Sequence, residues 1–163
     1  FYLGKLVWPA DLIFIYPRWE ISTADAGQWV FPAATLALVG ALWALRRRWR
    51  APLAAVLLFI GSLFPVLGFF NVYAFLFSFV ADHWQYLPCL ALLALAAAGL
   101  TLALARAPAA WRHAVPVVLV GSLGVLTWRQ SRMYADMETF YRTTIAQNPA
   151  CWMARNNLGS LLR

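Results

Sequence analysis

Uncharged hydrophobic stretches separated by short polar segments make up the middle of the chain. At about 1.5 Å per residue, a helix over residues 29–45 nearly crosses the hydrocarbon core of a bilayer. The next charge-free stretch, residues 51–81, is too long for one span, and Pro65, Gly68 and Asn71 mark where its helix is expected to end. The pattern predicts four membrane spans, at about residues 29–45, 51–70, 88–105 and 114–128.

The N-terminal segment, residues 1–28, has a different pattern. It mixes aromatic and charged side chains, and the pairs Trp8-Pro9 and Tyr16-Pro17 interrupt any long helix. Aromatic side chains next to a lysine or an arginine suit the headgroup region of a bilayer. We therefore predict an external interfacial segment followed by a loop.

The C-terminal segment, residues 129–163, is predicted to be helical but not membrane-spanning. Apolar side chains recur there at helical spacing among charged residues. Asp136 is expected to cap the first helix of this segment, and Asn148-Pro149 is expected to end it.

The composition supports a membrane protein. Hydrophobic residues make up 63% of the chain and charged residues 12%, whereas soluble domains have about 45–50% and about 25%. This excludes a typical soluble domain and a disordered chain. The net charge of +7 is also typical of nucleic-acid-binding proteins, but four arginines lie together in residues 46–50, beside a predicted span. We therefore expect membrane lipid as a partner and no nucleic acid.

The distribution of arginine predicts the orientation in the membrane. Residues 46–50 contain four arginines, residues 106–113 contain two, and residues 71–87 contain none. Short cytoplasmic loops are enriched in lysine and arginine. The two basic loops are therefore predicted to be cytoplasmic, and residues 1–28 and 129–163 are predicted to be extracytoplasmic.

Pro149, Leu158 and Gly159 resemble the join between two tetratricopeptide repeats. In that repeat a proline closes one unit, and a Leu-Gly pair lies on the first helix of the next. Gly159 is expected to let a paired helix, in a stretch beyond Arg163, approach closely. An ordinary helical hairpin fits the same residues and remains an alternative.

Residues 81–88, Ala-Asp-His-Trp-Gln-Tyr-Leu-Pro, resemble a segment of the transmembrane and tetratricopeptide-repeat-containing O-mannosyltransferases and their bacterial relatives. Residues 2–9 and 136–149 resemble two further segments of that family, and the three occur in the family's order. His83 stands where the family usually has arginine.

This resemblance implies the type C glycosyltransferase fold, in which a sugar is taken from a polyprenyl-phosphate-linked donor on the non-cytoplasmic face. The family's catalytic carboxylate lies in an earlier external loop, so no residue of this chain is assigned as catalytic. The chain, which starts at Phe1 and stops within a predicted helix at Arg163, is expected to be part of a longer protein.

Four residues are candidates for contact with such a substrate. Lys5, Arg18 and His83 are predicted to share the external face and are candidates for the donor phosphate. Alternatively, Lys5 and Arg18 anchor the interface and His83 caps a helix. Asp82 is a candidate for orienting a substrate hydroxyl or His83, and equally fits a carboxylate at a helix N-terminus.

No metal site or cofactor is predicted. Asp136 and Glu138 are two positions apart, so on a helix they point about 200° apart. Asp82 and His83 alone do not supply the three or four ligands that zinc requires.

The sequence thus predicts an all-α polytopic membrane protein with about four spans, followed by the start of an extracytoplasmic tetratricopeptide-type helical repeat. The leading function is sugar transfer from a lipid-linked donor to a protein or glycan acceptor, with the repeats binding the acceptor or a protein partner. A non-enzymatic membrane scaffold and an O-antigen-ligase-like transferase are the alternatives. The bacterial inner membrane is the expected location.

Overall fold

A computed structural model describes residues 1–163 as an all-helical chain, 70% helical and without strands. The α-helices are α1 (Tyr2–Val7), α2 (Val30–Leu45), α3 (Arg50–Leu63), α4 (Cys89–Leu104), α5 (Ala109–Ser131), α6 (Met137–Gln147) and α7 (Trp152–Leu161). Short 3₁₀ turns lie at Ala26–Trp29, Phe64–Val66, Tyr73–Leu76, Asp82–Gln85 and Arg132–Tyr134.

Two helical stretches are long and apolar enough to cross a membrane. The first combines a 3₁₀ turn with α2 over Ala26–Leu45, and the second combines α5 with the following turn over Ala109–Tyr134. Their lengths of 20 and 26 residues correspond to roughly 30 and 39 Å. Neither α2 nor α5 contains a buried residue, so their apolar side chains form exposed surface.

The other two apolar helices are shorter. They cover Arg50–Val66 and Cys89–Leu104, and α3 packs between α2 and α4 while α4 also contacts α5. The first of them stops before the expected end of span two at residue 70, because Pro65 has no N–H to donate and the chain turns at Gly68 with φ +95°.

The loop expected at residues 106–113 is shorter than predicted. Pro108, with an extended ψ of 150°, precedes the first residue of α5, and the helix begins at Ala109 rather than near residue 114. Arg112 and His113 therefore lie in α5 instead of in a loop. Pro116 lies inside α5 without ending it.

The two C-terminal helices form an antiparallel pair. Asp136 caps α6 as predicted, since its carboxylate accepts a hydrogen bond of 2.7 Å from the Thr139 N–H. This bond lowers the pKa of Asp136. The helix ends at Gln147, directly before Asn148-Pro149, as the sequence indicates.

Two small buried clusters hold the N-terminal segment in place. The first joins α1, α3 and the loop before α4, and its buried members are Tyr2, Ile13, Tyr16, Phe59, Leu63 and Val80. The second joins Ile15 to Cys151 and Ala154 of the C-terminal pair. The segment around residues 10–16 therefore lies between the membrane helices and the C-terminal pair.

Three side chains bind the backbone of this segment, which we call the connecting segment (residues 10–16): one from α1, one from α5 and one directly after α6. Lys5 Nζ donates to the carbonyl oxygens of residues 10 and 11, at 2.5 and 3.1 Å. Gln130 of α5 donates to the Leu12 carbonyl at 2.9 Å, and Asn148 donates to the Ile15 carbonyl at 3.1 Å. These bonds supply the partners that an irregular buried backbone requires.

Candidate functional site

A hydrogen bond between Tyr16 and Asp82 is the centre of the candidate site. The Tyr16 hydroxyl donates to the Asp82 carboxylate and lies 2.9 and 3.0 Å from its two oxygens. Asp82 begins the 3₁₀ turn before α4, and Tyr16 belongs to the connecting segment. The bond therefore joins two loops that are 66 residues apart in sequence.

Burial changes the acidity of both partners. It raises the pKa of the half-buried Asp82 carboxyl above its usual value of 3.8, although the Tyr16 hydrogen bond and the neighbouring Lys5 and His83 act in the opposite direction. Burial, followed by the hydrogen bond to Asp82, raises the pKa of Tyr16 above 10.0. Asp82 forms no ion pair, because the one ion pair of the structure joins Arg142 to Glu138.

A cavity of about 400 Å³ opens beside this pair. Its lining residues are Ile13, Phe14, Asp82, His83, Tyr86 and Tyr134. The His83 ring faces the Phe14 ring, with centroids 6.2 Å apart and planes inclined by 26°. A concave surface with mostly apolar walls and a few convergent polar groups is typical of a small-molecule site.

A second cavity, of about 750 Å³, shares Tyr86 and Tyr134 with the first. One part of its lining is apolar, including Leu123 and Leu126 of α5, and the other part is polar, including Arg129. No acidic residue lines it. The two cavities together form a surface, the α5 groove, with apolar side chains on α5 and polar groups near Asp82.

Lys5 and His83, two of the three predicted phosphate contacts, lie in the surroundings of Asp82. Besides binding two carbonyl groups, the Lys5 ammonium lies 5.4 Å from the centre of the Tyr16 ring. His83 lines the first cavity directly. The structure thus brings Lys5, Tyr16, Asp82 and His83 into one cluster. Within it, the contacts of Lys5 with the carbonyl groups of residues 10 and 11 have a structural role, because they hold the connecting segment.

Arg18, the third predicted phosphate contact, packs elsewhere. Its guanidinium lies 4.7 Å from the centre of the Phe79 ring, a distance at which a cation is attracted to an aromatic face. Phe79 lines a separate, largely apolar cavity of about 360 Å³. Arg18 lines neither of the two cavities that form the α5 groove.

The residues singled out for repeat packing lie in the C-terminal pair. Pro149 is exposed in the turn between α6 and α7, and Leu158 and Gly159 lie on α7. A Cβ placed on Gly159 meets no atom within 4 Å. The close helix approach expected at Gly159 is therefore not made within residues 1–163.

Sequence reasoning missed Arg129 and Tyr134 of the α5 groove. The available signal is a run of polar residues, Arg129 to Arg132, directly after the last predicted apolar stretch. A polar run at this place also marks the end of a span, and nothing local shows that it lies beside a cavity. No three His, Cys, Asp or Glu side chains cluster in a way that could hold a metal ion.

Comparison with protein-family models, curated proteins and solved structures gave no match. A function is therefore inferred from three observations: the geometry of the α5 groove, the Tyr16–Asp82 pair and the two long apolar helices.

Proposed function

We propose that this chain is part of a membrane glycosyltransferase that transfers a sugar from a polyprenyl-phosphate-linked donor to a protein or glycan acceptor. The observation that carries the proposal is the α5 groove. It combines apolar side chains of α5, a helix long and apolar enough to cross a membrane, and Arg129 with the polar cluster around Asp82. An amphiphile with a phosphate headgroup matches that combination of surfaces.

Each part of the groove has a role in this proposal. Leu123 and Leu126 contact the lipid chain, and Arg129 contacts the phosphate, whose developing charge a cation stabilises during transfer. Asp82 orients an acceptor hydroxyl, and Tyr16 positions Asp82. The catalytic carboxylate itself belongs to an external loop outside these residues.

The proposed architecture is four spans followed by a tetratricopeptide-type repeat in an extracytoplasmic location, most simply in a bacterial inner membrane. The two shorter apolar helices support it because α3 and α4 pack between the two long ones. The antiparallel pair α6–α7 supports the repeat, which would bind the acceptor or a partner protein.

The test uses the whole protein in membranes and a photoreactive polyprenyl phosphate. Irradiation should label residues of the α5 groove, and unlabelled polyprenyl phosphate should compete whereas the corresponding alcohol, which lacks the phosphate, should not. Labelled sugar should then pass from the donor to an acceptor. Labelling spread over all apolar helices, or equal competition by the alcohol, would contradict the proposal.

Arg129→Gln is expected to weaken binding of the polyprenyl phosphate about ten-fold. A hydrogen bond to a charged group contributes about 1.5–3 kcal/mol, and the exposed position of Arg129 favours the lower value. Binding is measured by the concentration of probe that gives half-maximal labelling. Arg155→Gln, on an exposed position of α7, is the matched control and should bind normally.

The cations predicted from the sequence belong in the same assay. Lys5→Ala and His83→Ala, which remove cations from the cluster around Asp82, should each reduce binding about ten- to a hundred-fold. Arg18→Ala should leave binding unchanged, because Arg18 lines neither cavity of the α5 groove. Normal binding by the first two variants, with a normal protein level, would leave Lys5 as an interface anchor and His83 as a helix cap.

The orientation is tested by labelling single cysteines with a membrane-impermeant reagent. Native Cys151 is 6% exposed and therefore unsuitable. Ser160→Cys and Ala51→Cys introduce thiols at exposed positions at opposite ends of the proposed arrangement, in a Cys89→Ala background. Ser160→Cys should react in intact cells and Ala51→Cys only after permeabilisation, and the reverse order would overturn the orientation.

A non-enzymatic scaffold is the second candidate function. One observation favours it: Trp152, Leu161 and Leu162 of the C-terminal segment are half-exposed or more, as expected for a surface that receives a partner. A scaffold would capture proteins through this segment and bind no polyprenyl phosphate, so the photolabelling experiment separates the two functions. An O-antigen-ligase-like transferase would also label, but with a lipid-linked glycan as donor.

A further inference from the structure

The acidic residues of the chain are confined to one end of the proposed membrane arrangement. They lie before α2, between α3 and α4, or after α5, and they are Asp11, Glu20, Asp25, Asp82, Asp136 and Glu138. The turn between α2 and α3 and the turn between α4 and α5 contain no carboxylate. The opposite end of the helices therefore has basic side chains only.

The turn between α2 and α3, which we call the arginine turn (residues 46–50), holds four arginines. None of them forms an ion pair. Arg46 donates to the Trp43 carbonyl at 2.7 Å, and its guanidinium lies 4.3 Å from the centre of the Trp43 ring. The Arg48 guanidinium lies 5.9 Å from the Trp49 ring. Two of the guanidinium groups are thus held against tryptophan rings.

The surroundings of the arginine turn are those of a membrane surface. Trp43 and Trp49 are 55% and 59% exposed, and tryptophan is enriched where lipid headgroups meet the hydrocarbon core. Arg106 lies in the turn between α4 and α5, and Arg112 lies in the first turn of α5; both are on the same end of the packed helices in the proposed membrane arrangement. No carboxylate of the chain pairs with these cations, so they are open to an anion from outside the protein.

We propose that the arginine turn is a binding site for the phosphate of an anionic phospholipid. The guanidinium fork binds phosphate through two parallel hydrogen bonds, which an ammonium does not do. The tryptophan rings hold two guanidiniums at the depth of the headgroups. The inference rests on the membrane arrangement given under the proposed function and is independent of sugar transfer.

A positively charged loop that serves only to orient the protein would attract anionic lipids as a diffuse cloud. Such attraction depends on charge and is screened by salt. A site built from guanidinium groups depends on the arginine side chains themselves. Arginine and lysine variants of equal charge therefore distinguish the two.

The experiment measures tryptophan quenching of the intact chain in phosphatidylcholine vesicles that contain a minor fraction of brominated phosphatidylglycerol. The same fraction of brominated phosphatidylcholine gives the reference. We expect phosphatidylglycerol to be enriched about five-fold, which equals about 1 kcal/mol. Raised salt should leave most of this enrichment in place.

Replacing all four residues of the turn, as R46K/R47K/R48K/R50K, should remove most of the enrichment although the charge is unchanged. The matched control, R132K/R142K/R155K/R163K, changes four arginines after α5 and should retain it. Full enrichment in the first variant, equal loss in both, or complete loss in raised salt would each overturn the site. Loss of the quenching when inorganic phosphate is added at low concentration would also overturn the lipid site, because the arginine turn would then bind free phosphate.

Folding and orientation are checked in the same vesicles. Circular dichroism should show unchanged helix content, and labelling of Ser160→Cys and Ala51→Cys should give the orientation. A failed orientation test would refute the membrane arrangement, whereas normal orientation without enrichment would refute the lipid site alone.

Discussion

Asp82→Asn is expected to lower sugar transfer about 100-fold while leaving the protein folded. In the proposed function the ionised carboxylate accepts a hydrogen bond from the acceptor hydroxyl, and a charge-assisted hydrogen bond of this kind contributes up to about 3 kcal/mol. Asparagine has nearly the same shape and still accepts a hydrogen bond from Tyr16, so the local packing is kept. The measurement is the transfer rate in membranes, normalised to the amount of protein.

Two controls accompany this variant. Asp25→Asn removes an exposed carboxylate that binds the backbone N–H of Gly27 at 2.9 Å, and it should leave transfer unchanged. Tyr16→Phe removes the positioning hydroxyl and should reduce transfer about ten-fold at most, since a neutral hydrogen bond contributes about 0.5–1.5 kcal/mol. Normal transfer by Asp82→Asn would remove Asp82 from the site.

Because the pKa of Asp82 is raised, the pH dependence of stability shows whether this carboxylate serves the substrate or stabilises the fold. Because the pKa of the folded chain lies above the unfolded value of 3.8, the stability linked to this carboxyl is fully present below pH 3.8. It is lost as the pH rises through the folded pKa. Asp82→Asn should abolish this dependence and be at least as stable as the unaltered chain at neutral pH. A large loss of stability at neutral pH would indicate a structural role.

Asn148→Ala is expected to reduce the free energy of unfolding of the C-terminal pair by about 1–3 kcal/mol. Asn148 is 4% exposed, and its side chain donates to the Ile15 carbonyl at 3.1 Å. Alanine leaves that buried carbonyl without a partner, and an unsatisfied buried polar group costs an amount of this size. Hydrogen exchange of α6 and α7 in detergent should become faster, while exchange in α2 and α5 should not change.

Asn156→Ala is the matched control for this variant, because Asn156 is exposed on α7 and its side chain makes no hydrogen bond. It should leave exchange unchanged. Equal effects of the two substitutions would show that the Asn148–Ile15 bond does not hold the C-terminal pair to the connecting segment.

Local pattern predicted the parts of the fold that depend on neighbouring residues. Runs of apolar residues without charge indicate the helices, and Asp136 is identifiable as a helix cap because capping involves residues three apart. The predicted start of α5 is wrong because charge alone places Arg112 and His113 in a loop, whereas α5 begins at Ala109. A helix tolerates both side chains in its exposed first turns, so charge did not mark the boundary.

The candidate site depends on contacts that no local pattern specifies. Tyr16 and Asp82 are 66 residues apart, and Asn148 and Ile15 are 133 apart. Asp82 and His83 were selected from the sequence as a motif, but the sequence did not show that Tyr16 would bind Asp82. The position of Arg129 is equally absent from the local pattern, since it depends on the contact of α5 with the connecting segment, where Gln130 binds the Leu12 carbonyl.

The connecting segment limits where residues can be inserted into or deleted from the chain. Irregular surface loops generally accept insertions and deletions, but the carbonyls of this one are bound at fixed positions by Lys5, Gln130 and Asn148. One extra residue between Leu12 and Ile15 would move one of these acceptors away from its donor. Insertions should therefore be tolerated around residues 21–25, which are exposed, and rejected within residues 10–16.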